Sequence, residues 1–174
     1  MGGTVMDRHF ATAAIFTKGT GITPNSGDVA LCAKSDDKFY LKDSSDTEVG
    51  IVSGALPCDL VVACSDETTD LATGTAVVTF RMPYAMTLTA VRASVTTAPV
   101  GADIIVDINE AGSSVLSTEI SIDDGEKTST TAATPPVISD SALADDAEIT
   151  IDIDQVGSTT AGAGLKVALI GTRT

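Results

Sequence analysis

From Cys58 onward, apolar side chains alternate with Thr, Ser, Asp or Arg almost without interruption, and this period of two constrains the fold more than any other feature. The alternating runs are "DLVVAC", "TAVVTFRM", "MTLTAVRASV", "DIIVDIN", "SVLST", "EISI", "TPPVIS", "AEITIDID" and "GLKVALIG". Many short strands separated by closely spaced turns predict an all-β fold, an antiparallel sandwich or barrel. No window shows the 3.6-residue period of a helix, and "SDSALADD" admits one helical turn at most. Trp is absent and aromatics make up only 3% of the chain, so the core must be built from Val, Ile, Leu and Ala, which suits a thin sandwich.

Residues 1–57 have a different texture. After the turn-rich "TKGTGITPNSG" comes one clear hairpin, "VALCAK" and "KFYLKD" around Ser35, Asp36 and Asp37. A two-stranded hairpin is marginal alone in water, so this segment is expected to be an arm that packs on its own C-terminal domain, on sister chains or on another protein. "VSGALP", Val52 to Pro57, reads as the linker, with Gly54 and Pro57 breaking any strand. The expected organisation is therefore an arm over 1–57, for anchoring or trimerisation, and a β-sandwich over 58–174.

Charge is distributed as unevenly as texture. The chain carries a net −14. Residues 58–174 hold 17 Asp/Glu against 5 Lys/Arg, and residues 1–57 hold 7 against 5, which leaves −12 on the sandwich and −2 on the arm. Nucleic acid and anionic membranes are thus expected non-partners, because their phosphates attract a Lys/Arg surface. No apolar run approaches the ~20 residues of a membrane span, and "MGGTVMDRHF" lacks the apolar core of a signal peptide. A soluble protein made in the cytosol is expected. Cys32, Cys58 and Cys64 are odd in number and form no CxxC, which points to reduced, mostly buried thiols.

Two stretches repeat at a spacing of 45 residues: "DINEAGSS" from Asp107 and "DIDQVGST" from Asp152. On a strand, Val106, Ile108, Ile151 and Ile153 face inward, while Asp107, Asn109, Asp152 and Asp154 face outward. Each copy ends in a glycine, Gly112 or Gly157, where the turn is expected to need positive φ. With Asp145, Asp146 or Glu148 added, the outward oxygens have the chemistry of a calcium site. Side chains two apart on a strand are separated by roughly 6.5 Å, however, whereas a calcium loop converges its ligands. The repeat is therefore read as a structural strand-and-turn device that binds no metal.

Arg81 and Arg92 lie in apolar strands of this acidic domain. Burial would require partners such as Asp107 or Asp152, and salt bridges to the surplus carboxylates are the preferred reading over an anion site. Pro83 removes a ladder donor, so "MPYA" is expected at a bulge, corner or edge. Catalysis has little support. His9 is the only histidine and lies near the N-terminus, and there is no P-loop, helix-opening GxGxxG or HExxH. "AGAGLKV" is read as a turn leading into a strand. A sugar cleft usually supplies aromatic platforms, and here there are only Tyr40, Tyr84 and four Phe. No catalytic, cofactor-binding or metal residue is assigned.

The run "TFRMPYAMTLTAVRASVTTAPVGADIIVDINEAGSSVLSTEISIDDGEKTST", followed by "ALADDAEITIDIDQVGSTTAGAGLKVALIG", resembles a module of small virion proteins and fibre ends of tailed bacteriophages. "SGDVALCAKSDDKFYLKDSSDTEVGIV" is similar to a segment common in phage tail and fibre proteins. The resemblance implies a jelly-roll-like sandwich assembled as a homotrimer, with an N-terminal part that docks or intertwines. The functional expectation is a non-enzymatic capsid decoration (cement) protein in the virion. Its partners would be sister subunits and, through the arm, the major capsid protein or other virion proteins. A chain read as complete from Met1 to Thr174, without a repetitive shaft or an aromatic tip, favours this over a tail-fibre or baseplate component with a receptor- or carbohydrate-binding sandwich.

Overall fold

The computed structural model describes residues 26, 29–33, 39–43, 45, 48–50 and 56–174. The chain divides into two compact units, Met1–Gly54 and Ala55–Thr174. In the first unit β1 (Val29–Ala33) and β2 (Phe39–Asp43) pair antiparallel from Val29↔Asp43 to Ala33↔Phe39. A further strand, β3 (Glu48–Gly50), pairs with β2, so the expected two-stranded hairpin is part of a three-stranded sheet. A third strand weakens the argument that this segment must borrow all its stability from a partner. The expected turn at Ser35, Asp36 and Asp37 lies outside the described residues.

The second unit is all-β and antiparallel. Its strands are β4 (Leu56–Ala63), β5 (Gly74–Arg81), β6 (Met86–Ser94), β7 (Ile104–Glu110), β8 (Ser113–Ser114), β9 (Leu116–Thr118), β10 (Ile120–Ile122), β11 (Val137–Ile138), β12 (Ala142–Leu143), β13 (Glu148–Gln155) and β14 (Lys166–Arg173). One sheet runs β12-β6-β14-β4, and the other runs β10-β7-β13-β5 with β8 added beside β7. Taken as eight principal strands in chain order, β4 pairs with β14, β5 with β13, β6 with β12 and β7 with β10. First with last, second with seventh, third with sixth and fourth with fifth is the strand order of a jelly roll. The short strands β9 and β11 form a separate pair.

The alternation explains why these residues form these strands. In β13, Ile149, Ile151 and Ile153 are buried while Glu148 and Asp154 are exposed; in β14, Val167 and Leu169 are buried between half-buried neighbours. These residues join Ile104, Val106 and Ile108 of β7 and Met86, Leu88 and Val91 of β6 in a single apolar cluster between the sheets. Cutting one of these isoleucines back to alanine would cost about 2–5 kcal/mol.

One local expectation is corrected. Leu56 and Pro57 belong to β4, not to a linker. Proline is tolerated because β4 is an edge strand. Cys64 N donates to Leu165 O at 2.8 Å, so by alternation the residue at 57 directs its missing N–H away from β14. "SDSALADD" contains no helical turn: Ala142 and Leu143 form β12, opposite Thr87 and Met86, and Leu143 is buried. Pro83 lies in the short corner that carries the chain from β5 in one sheet to β6 in the other, as its missing donor requires.

Candidate functional site

The duplicated stretches become neighbours. They run antiparallel on β7 and β13, with Asp107 directly opposite Asp152. Like charges in that relation repel, so each carboxylate needs compensation. Asp107 is 9% exposed, covered rather than open to solvent as simple parity predicted. Its Oδ1 accepts from Ile108 N at 2.8 Å and from Ser114 Oγ at 2.7 Å. Ser114 reaches it because the turn after β7 folds β8 back along the strand, with Ser114 opposite Asn109. Asp152 accepts from Ala76 N at 2.7 Å and from Asn109 Nδ2 at 3.3 Å. The two charges are thus met by the protein's own donors.

The remaining acids on this face are less well compensated. The carboxyls of Glu119 and Asp154 are both raised above their ordinary values, chiefly by desolvation, then by Asp154 and Asp152 respectively, and last by Asp107. Among the described residues no three His, Cys, Asp or Glu side chains are grouped to hold a metal ion. Glu148 lies at the opposite end of β13 from Asp154, about 20 Å along an extended strand, and Asp145 and Asp146 precede it.

The two terminal glycines serve different needs. Gly112 has φ +82° with open space where a Cβ would be, so its requirement is conformational. Gly157 does not adopt positive φ, contrary to expectation. A Cβ there would collide with the Thr160 carbonyl oxygen and lie 2.9 Å from Val100 N, so its requirement is close backbone approach.

Arg81 and Arg92 are both exposed, and neither is buried against Asp107 or Asp152. Arg81 pairs with Glu148 at 3.4 Å and donates from Nη1 to Asp146 O at 3.0 Å. "AGAGLKV" is an irregular stretch that bridges Thr97 through Ala163 before entering β14, with Gly162 and Gly164 at φ +92° and +74°. Cys58, on the inward side of β4, and Cys64, just past its end, are free and half-buried. Burial pushes the Cys64 thiol up to about 11, so it stays protonated at neutral pH. His9 lies outside the described residues.

The sequence did not reveal how the sandwich divides its charge. Strands β5, β7, β10 and β13 carry Asp107, Glu110, Glu148, Asp152 and Asp154 against Arg81 alone. Strands β4, β6, β12 and β14 carry Arg92, Lys166 and Arg173 against Asp59 alone. The outer face of this second sheet is apolar at its centre. One row reads Val61, Ala168, Arg92 across β4, β14 and β6, and the next reads Asp59, Ile170, Ala90. Val61 is 63% exposed. Beside β6 lies a groove of about 350 Å³ lined by Thr89, Ala90, Val91, Pro136, Val137 and Ile138. Strand parity alone cannot say which sheet a strand joins, and that assignment is what gathers these residues. No family model, no curated protein and no solved structure matches the chain.

Proposed function

We propose that this chain is a non-enzymatic structural protein of a tailed-phage virion, a trimeric decoration protein that binds and stabilises the capsid shell. The observation that carries the reading is a jelly-roll sandwich whose facing carboxylates Asp107 and Asp152 are satisfied by its own hydrogen bonds, while the other sheet exposes Val61 beside an uncharged centre. Carboxylates tied to backbone and serine donors support a scaffold role rather than ligand chemistry, and an open apolar face suits protein contact. The sequence resemblance to small virion proteins points the same way. Attachment works by multivalency: three arms held on one trimer turn weak single contacts into durable binding through effective concentration.

The test is to remove the protein from its particles and to measure genome retention under heat or osmotic shock alongside host adsorption. Fragile heads with normal adsorption are expected. Sound heads with lost adsorption would overturn the reading in favour of a receptor-binding tail component.

A further inference from the structure

We infer that the groove between β6 and β11 receives the β4 margin of a second copy of this chain, head to tail. Three features converge on one face. At the β4 margin, Val61 projects into solvent at 63% exposure with Asp59 two residues away on the same side. At the opposite margin lies the groove, with Val137 50% exposed on its wall and Arg92, exposed on β6, two residues along the strand from the lining Ala90. Between them Ala168 and Ile170 give a smooth, uncharged centre.

Charge selects the occupant. The sandwich carries −12, so two copies meeting through most of their surface would repel. This face is the exception. Lys166 is already held by Glu67 at 2.5 Å, and the Arg173 guanidinium lies over the Tyr84 ring at 4.8 Å. The exposed charges left on its strands are Asp59 at one margin and Arg92 at the other. Each copy therefore offers an acid beside its apolar projection and a base beside its apolar groove, and a head-to-tail contact brings opposite signs together.

The contact runs through side chains rather than through strand addition. β4 ends its sheet, but Pro57 supplies no donor and the Asp59 charge opposes an incoming strand, both devices that blunt edge pairing. Projection and groove sit at different margins of the same face, so the contact is heterologous and closes as a ring when the rotation between copies permits. The inference rests on the trimer in the proposed function and supplies its missing surface.

Sedimentation and light scattering of the full-length chain test it. Val61→Asp and Val137→Asp should each convert the assembly to monomer at micromolar concentration, with unchanged far-UV circular dichroism because both sites are exposed. An equimolar mixture of the two variants should form a heterodimer and nothing larger, since each retains the half the other lacks. Asp59→Arg and Arg92→Asp should each weaken association about tenfold, and the chain carrying both should recover most of it. A trimer unchanged by Val61→Asp would overturn this inference while leaving the trimer standing. A monomeric parent chain would overturn both.

Discussion

The two outer faces of the sandwich are made from the same alternating pattern yet have opposite electrostatic economies. On the β10-β7-β13-β5 face the carboxylates crowd together, and the chain answers with local donors: Ser114 and Ile108 for Asp107, Ala76 and Asn109 for Asp152. On the β12-β6-β14-β4 face the centre is Ala168, Ile170 and Val61, and little of the chain's own material covers Val61. A face crowded with carboxylates, the most covered of them met by local donors, is suited to meet water. A face that leaves an apolar residue and two separated charges unsatisfied is suited to meet protein.

That contrast is broken most sharply by removing one polar group from each side. Asp107→Ala takes the acceptor from a nearly buried pair of donors and should cost about 2 kcal/mol, partly offset by relief of repulsion with Asp152. Arg92→Ala removes an exposed side chain and should change stability of the single chain by less than about 0.5 kcal/mol. Denaturant unfolding of the two variants under dissociating conditions checks this, and equal losses would erase the distinction.

Titration sharpens the same contrast. The folded-state pKa of Glu119 and of Asp154 is raised above the ordinary values of 4.5 and 3.8. The folded state therefore holds protons more tightly than the unfolded chain. Their contribution is fully present below those ordinary values and is lost as pH rises through the raised ones. Melting temperature should accordingly increase as pH falls from neutral towards the mildly acid range, and Glu119→Gln with Asp154→Asn should flatten the slope. Asp66 acts in the other direction. Backbone donation from Thr69 and Thr68 lowers its carboxyl to about 2, so its contribution is present above 3.8 and disappears as pH falls through that lower value. An unchanged slope in the double variant would remove the crowding argument.

The smallest expected effect is that of metal. A ligand at a hundred times its dissociation constant adds about 2.7 kcal/mol to stability. The acidic face, where no three acidic side chains among the described residues are grouped to hold an ion, should gain nothing comparable. Melting with calcium and then with excess chelator should give superimposable curves, and a large chelator-sensitive shift would turn the duplicated strands into an ion site.

Much of the fold was legible because burial enforces alternation. β5, β6, β7, β13 and β14 lie within about two residues of the runs that predicted them, and the β5–β6 corner follows from Pro83. β12 escaped notice because two residues cannot display a period, and only the buried Leu143 betrays it. The site was less legible for a different reason. Parity fixes which side of a strand faces out, but not which strand lies alongside. The Asp107–Asp152 juxtaposition, the cover supplied by Ser114 and the gathering of Val61, Ala168 and Arg92 all depend on long-range pairing. Gly157 shows the same limit: a local reading assigned it a backbone angle, whereas its need arises from Val100 and Thr160.

The central claim is that one outer face is reserved for protein contact and the other is not, and the same substitution placed on each tests it most directly. Val61 and Val77 are both exposed outward valines, the first on β4 and the second on β5 of the acidic sheet. Sedimentation velocity of full-length Val61→Asp and Val77→Asp, run beside the parent chain at equal concentration, should give monomer for the first and the parent assembly for the second. The claim would be contradicted if both substitutions dissociated the assembly, or if only Val77→Asp did.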